Sequence, residues 1–102
     1  MPEIESEYDD LDKYKNSYGD IAYYKKDTYI KHNPYGPAIV LKSGRIEYYI
    51  EDKLHRLSGP ARIYTGGEKE YWINNKFLTE EEFEYHPDRL EFIGKGHLSS
   101  LL

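Results

Sequence analysis

The chain has 102 residues, 38% of them apolar and 32% charged, a formal net charge of −5, 12 tyrosines and no cysteine. That length supports one domain with a small core, and a 16% aromatic content argues against a disordered chain. Without cysteine there are no disulfides, thiolate zinc sites or cysteine nucleophiles, and no run of about 18 apolar residues predicts a membrane span.

The chain opens on MPEIESEYDDLD, which is acidic and has no apolar stretch of the kind a secretory signal carries. A cytoplasmic protein is the expectation. Residues 1–12 hold six acids and no base, residues 13–78 hold 12 bases and 7 acids, and residues 79–102 hold 2 bases and 6 acids. A basic middle between acidic ends either neutralises itself or offers a charged surface to a partner. Residues 1–17 are therefore read as an acidic N-terminal segment, serving as a solubilising tail or as an interface.

Residues 18–78 form a repeat region. Shifting the chain by 23 residues lays His32 on His55 and Gly36-Pro37-Ala38 on Gly59-Pro60-Ala61. The same shift lays Gly44 on Gly67, Glu47-Tyr48 on Glu70-Tyr71, Ile50 on Ile73 and Lys53 on Lys76. Gly19 to Tyr24 parallels Gly44 to Tyr49 as the second half of an earlier, degenerate copy, with two extra residues before His32. Each unit reads as a β-hairpin. Ala38 to Leu41 and Ala61 to Tyr64 are β-prone runs, and Ser43-Gly44 and Gly66-Gly67 are tight turns. Arg45 to Ile50 and Glu68 to Ile73 return. Glu51-Asp52 and Asn74-Asn75 supply a second turn, and Pro37 and Pro60 belong at strand starts. A lone hairpin is marginal, so the units must pair into one twisted antiparallel sheet of about six strands.

Residues 79–102 change style. Thr79-Glu80-Glu81-Glu82 is a capping box, so a short helix begins there and is expected to end before Pro87. Asp88 to Ile93 fits either a helix or a strand, and Gly94-Lys95-Gly96 predicts a freed tail. The fold class is mainly β, with serial hairpins capped by a short C-terminal helix.

The 23-residue period, the paired aromatics, the Asn-x-Lys turn and the His-x-x-x-Gly-Pro-Ala start resemble a MORN-like repeat variant over roughly residues 19–83. Such arrays are similar to those of large DNA viruses and phages, often ending in a segment like Leu78 to Phe83. This chain departs from the standard pattern: it lacks Gly-Glu before the Trp, and Asn33-Pro34-Tyr35-Gly36 and Arg56-Leu57-Ser58-Gly59 replace Gly-x-Gly. The resemblance implies a hairpin scaffold for interaction without catalytic residues, and the departures count against the lipid-headgroup binding proposed for MORN arrays, so no membrane partner is expected.

The candidate chemistry is sparse. His32, His55, His86 and His97 lack metal-ligand spacing, and no metal or cofactor is expected. The histidine of each unit reads as a bond to neighbouring backbone that fixes the turn. Glu47 and Glu70 occupy matched positions, as paired glycosidase carboxylates do, but nothing else supports a sugar cleft, and an enzyme is not expected. Bases interleaved with tyrosines fit single-stranded nucleic acid, although net acidity opposes phosphate. Acidic segments beside tyrosines fit a basic protein surface better. The expected contacts are Glu3, Glu5, Glu7, Tyr8, Asp9, Asp10 and Asp12, with Glu80, Glu81, Glu82 and Glu84. The expected function is a non-catalytic protein-binding module. The resemblance adds a viral or phage inhibitor of a host defence or nucleic-acid-binding protein. Alternatives are a nucleic-acid-binding module using the basic Tyr-rich sheet, or a self-assembling viral component. A homodimer through open strand edges is a further option.

Overall fold

The computed structural model describes the backbone of residues 3–5 and 8–101 and the side chains of residues 8–95. Ten strands precede two helices. They are β1 (Glu3–Glu5), β2 (Leu11–Lys15), β3 (Ile21–Lys25), β4 (Ile39–Val40), β5 (Ile46–Glu47), β6 (Tyr49–Ile50), β7 (Lys53–Leu54), β8 (Arg62–Ile63), β9 (Lys69–Ile73) and β10 (Lys76–Leu78), then α1 (Glu80–Glu84) and α2 (Pro87–Leu101). Eight strands make one antiparallel sheet in the order β1-β2-β3-β4-β5-β8-β9-β10, while β6 and β7 pair separately. The expected mainly β fold with a helical cap is what forms, with a wider sheet than the repeat alone predicts.

The width comes from the N-terminal unit. The earlier copy is a complete hairpin, because β2 pairs with β3 over Leu11 to Lys15. Its turn matches the other two bond for bond. Asn16, Leu41 and Tyr64 donate their N–H to the carbonyls of Asp20, Arg45 and Glu68. Gly19, Gly44 and Gly67 follow with φ of 93°, 105° and 96°, a region where a side chain collides with backbone. The first strand escapes sequence alignment because Asp12, Lys13 and Lys15 stand where the later copies carry apolar residues.

Second turns also recur. Glu51 and Asp52 have φ of 49° and 68°, and Asn74 and Asn75 have 49° and 67°, the double left-handed geometry of a two-residue hairpin turn. The Asp52 carboxylate accepts from the Lys31 N–H, and the Asn75 side chain accepts from the Leu54 N–H, each 21 residues away. The two extra residues of the first unit enlarge this turn: Lys25 N–H reaches Ile30 and Tyr24 bridges Lys31.

The repeated histidines brace each unit across its own length. His32 Nδ1 accepts from the Glu51 N–H at 2.9 Å, and His55 Nδ1 accepts from the Asn74 N–H at 3.0 Å. Each imidazole therefore closes the second turn of its own unit, 19 residues ahead of it in the chain. An accepting Nδ1 requires the neutral ring with its proton on Nε2. Burial lowers the pKa of both rings, with Lys25 adding to the effect at His32 and His86 at His55.

Gly-Pro-Ala is a stitch between strands. Ala38 and Ala61 are fully buried. Each donates forward, to Glu47 and Glu70, and accepts from behind, from Tyr23 and Tyr48. The residue after each histidine holds the strap that leads there. Asn33 donates to the Pro37 carbonyl at 3.0 Å, and Arg56 donates to the Pro60 carbonyl at 3.1 Å. Two unlike side chains thus do one job.

The core is small and split. Ala38, Tyr49 and Leu54 form one cluster, joined by Ile39 and Trp72. Ile73, Leu78 and Phe83 form the other, joined by Leu57 and Tyr71. Helix α1 closes the second, its Phe83 ring 4.6 Å from that of Tyr71. The capping box is complete: Thr79 Oγ1 accepts from Glu82 N–H, and the Glu82 carboxylate accepts from Thr79 N–H. The C-terminal expectation needs correction. Gly94-Lys95-Gly96 does not free the tail but lies inside α2. Pro87 opens that helix, where a missing N–H is harmless. His86 Nδ1 accepts from Asp88 N–H, and Lys95 pairs with Glu91 one turn back. These supports offset the roughly 1 kcal/mol that each glycine costs a helix.

Candidate protein-binding surface

Strand alternation assigns the side chains to two faces. The register aligns Tyr14, Ala22, Ile39, Glu47, Arg62 and Glu70 across the sheet on one face. At the far end of this row lies an ionic ladder built around the buried Glu47. Glu47 takes Arg45 at 2.8 Å and Arg62 at 2.9 Å, and Arg62 reaches on to Glu70 at 3.1 Å. The Tyr49 hydroxyl also donates to Glu47, and Tyr64 and Trp72 donate to Glu70. Burial works to raise both carboxyl pKa values, but these partners outweigh it and hold both below the usual range. Arg62 stands between the two glutamates and neutralises them, tying β5, β8 and β9 together.

All four arginines are engaged inside the molecule. Arg45 and Arg62 serve the ladder. Arg56 lies over the Tyr48 ring at 4.0 Å, and Arg89 donates to the Leu57 carbonyl at 2.7 Å. Of the lysines, Lys25 pairs with Glu51, and Lys31 covers the Tyr49 ring at 4.2 Å. The three arginines and two of the lysines of the basic middle are therefore committed to its own acids and aromatics.

The acidic candidates fall into two groups on different parts of the sheet. Glu7 lies outside the described residues, and Glu3 and Glu5 are placed only as backbone of edge strand β1. Tyr8 stacks on Tyr35 with ring centroids 4.3 Å apart. The Tyr35 hydroxyl donates to the Asp10 carboxylate at 3.2 Å, and that bond and the Asp10 charge raise the Tyr35 pKa. Asp9 and Asp10 are exposed. Asp12 is corrected: it is buried, and its carboxylate accepts from the Asp27 N–H at 2.9 Å. It closes the enlarged turn of the first unit.

Glu80, Glu81, Glu82 and Glu84 are exposed on α1, beyond β10. Six strand spacings separate β2 from β10, roughly 29 Å, so the two acidic groups do not form one patch. The helix acids also have local work. Glu82 completes the capping box, and Glu84 faces Arg89 at 4.0 Å. Glu80 and Glu81 complement the positive end of the helix. Tyr29 and Tyr18, 84% and 75% exposed, and Tyr35 at 57%, belong to the N-terminal end instead. The sequence reading did not single out Tyr29. Its signal was the two-residue insertion that breaks the repeat.

Among the described residues, no helix is long and apolar enough to cross a membrane, and no three His, Cys, Asp or Glu side chains converge as a metal site would. No family model, curated protein or solved structure matches the chain, so any function must be argued from the chemistry of the surface itself.

Proposed function

We propose that this chain is a non-catalytic, MORN-like hairpin scaffold that binds a basic protein partner through its N-terminal end. One observation carries the reading: at this end exposed carboxylates accompany exposed tyrosines on both faces of the sheet, Asp10 with Tyr35 on one and Asp27 with Tyr29 on the other, while the arginines are engaged internally. Tyrosine supplies apolar area with few rotamers to freeze, and carboxylates steer a basic partner. The 23-residue recurrence of backbone bonds supports the MORN-like part of the reading. The resemblance adds a host defence or nucleic-acid-binding protein as that partner, with this chain as its inhibitor. The same internal use of arginine weighs against the nucleic-acid alternative, because phosphate binding needs free cations.

The test is affinity capture from lysate after nuclease treatment, comparing the wild type with Asp9→Lys/Asp10→Lys. Nuclease-resistant capture of a basic protein that the charge reversal abolishes supports the reading. Capture that vanishes with nuclease, or that ignores the reversal, overturns it.

A further inference from the structure

The β2–β3 hairpin carries a second tyrosine cluster on the face opposite Tyr8 and Tyr23. Asp12 pairs with Tyr24 and Tyr14 with Ala22 in the register, so Asp12, Tyr14 and Tyr24 share one face. The small Ala22 lets Tyr14 meet Tyr24 edge-on, at 5.4 Å and 81°. Tyr29 then meets Tyr24 edge-on at 6.1 Å and 82°. Tyr29 sits on the enlarged turn that only the first unit has, and it remains 84% exposed, so it is not filling the core. Its neighbour Thr28 is pinned, its hydroxyl donating to Lys25 O and accepting from Ile30 N–H.

Asp12, Tyr14, Asp27, Thr28 and Tyr29 line an open cavity of about 390 Å³. Its wall therefore holds two carboxylates, two phenol rings and a hydroxyl, and no base. Burial raises the Tyr14 phenol pKa first, and the Asp12 and Asp27 charges raise it further, so the local field is negative. Electron-rich rings beside carboxylates attract a cation through ring quadrupole and charge together. An anion would meet both carboxylates, and a purely apolar group would have to strip water from them.

We infer that this cavity takes the cationic head of a lysine or arginine side chain, and that it is the subsite through which the basic protein partner is gripped. The inference rests on the proposed function. It adds a defined pocket and the chemical group that enters it. The turn of the first unit is thus a recognition loop, made by inserting two residues into a repeat whose other turns are too short to carry one.

The experiment is an NMR titration of the full chain with blocked Gly-Arg-Gly and Gly-Lys-Gly peptides, against Gly-citrulline-Gly and Gly-norleucine-Gly controls. The charged peptides should shift the ring signals of Tyr14, Tyr24 and Tyr29 saturably, with the controls at least tenfold weaker. Tyr29→Ala and Asp27→Asn should each weaken binding at least fivefold with the remaining amide spectrum unchanged. Asn tolerates the left-handed backbone at position 27, φ 61°. Equal binding of citrulline, or unchanged affinity in both variants, overturns the pocket. If Tyr29→Ala still captures a basic partner as well as wild type, the pocket fails and the proposed function stands. If Asp9→Lys/Asp10→Lys leaves capture intact, the proposed surface fails on its own account.

Discussion

Replacing Arg62 with methionine should destabilise the sheet by about 3 kcal/mol. Methionine keeps most of the apolar stem and gives up the guanidinium that lies over the Trp72 ring at 5.6 Å, so the change removes charge more than volume. Glu47 has a side chain only 10% exposed and would keep Arg45, at 2.8 Å, as its remaining cation. Glu70 would keep only the Tyr64 and Trp72 hydrogen bonds. Removing one member of a fully buried ionic group costs roughly 3–5 kcal/mol, and the surviving Arg45 and the part-exposed Arg62 and Glu70 place this case at the low end. At about 4–8 °C per kcal/mol for a domain of this size, the midpoint should fall by roughly 12–24 °C. Thermal unfolding by circular dichroism at pH 7 measures this. Both glutamates have lowered pKa values in the fold. Their stabilisation is therefore present above the ordinary carboxyl value and is lost as pH falls through the folded values. The gap between variant and wild type should narrow below about pH 4. Adding Glu70→Gln to Arg62→Met should recover most of the loss, since Glu47 keeps Arg45 and no unpaired charge then remains. A loss under about 1 kcal/mol at pH 7 would mark the ladder as no better than a surface ion pair and refute the reasoning.

Other perturbations test the remaining scaffold. His32 and His55 have lowered pKa values in the fold, so stability should fall as pH drops below about 6.5, the unfolded value. His32→Asn/His55→Asn keeps an acceptor near Nδ1 and should flatten that stretch of the curve, as urea midpoints from pH 7.5 to 5 would show. Gly67→Ala should cost about 1–2 kcal/mol in chemical denaturation, and because nothing lies within 4 Å of the added carbon, the loss reports backbone strain alone. Glu51→Asn should gain about 0.5–1 kcal/mol by relieving a left-handed glutamate at φ 49°, and an unchanged midpoint would show the Lys25 pair compensating. Phe83→Ala should cost about 3–5 kcal/mol, with the loss of near-ultraviolet signal from the adjoining Tyr71 as its signature.

How much of this was legible in the sequence varies by element. Gly44 and Gly67, the Gly-Pro-Ala stitches and the Thr79 capping box announce themselves, because each needs a particular residue for a local steric or hydrogen-bonding reason. Strand β2 did not, since Asp12 and Lys13 replace the apolar pattern that periodicity reads, and only its backbone bonds reveal the match. The histidine role was half legible. A bond to backbone could be expected, but its target 19 residues ahead depends on how hairpins stack. Helix α2 hid behind its two glycines, whose local preference is overridden by Pro87, His86 and the Glu91–Lys95 pair. For the candidate surface, composition pointed to acid and tyrosine. It could not show that Asp12 is buried, that the helix acids lie across the sheet, or that Tyr14, Tyr24 and Tyr29 gather on one face.

The second turns also bear on how such a chain grows. Each is tied to the last residue of the unit before it, Asp52 to Lys31 and Asn75 to Leu54, so a unit is incomplete alone and stability resides in the junctions. At the start of the array, Asp12 and the Asp10 carbonyl close the turn that no earlier histidine serves, and at its end Leu78 stands where a third histidine would fall and leads into α1. The array thus has a distinct first piece, a distinct last piece and an interchangeable middle. Splicing another 23-residue unit between Leu54 and His55 would present each neighbour with the junction it already makes. A gene could lengthen this protein by duplication without redesigning either end.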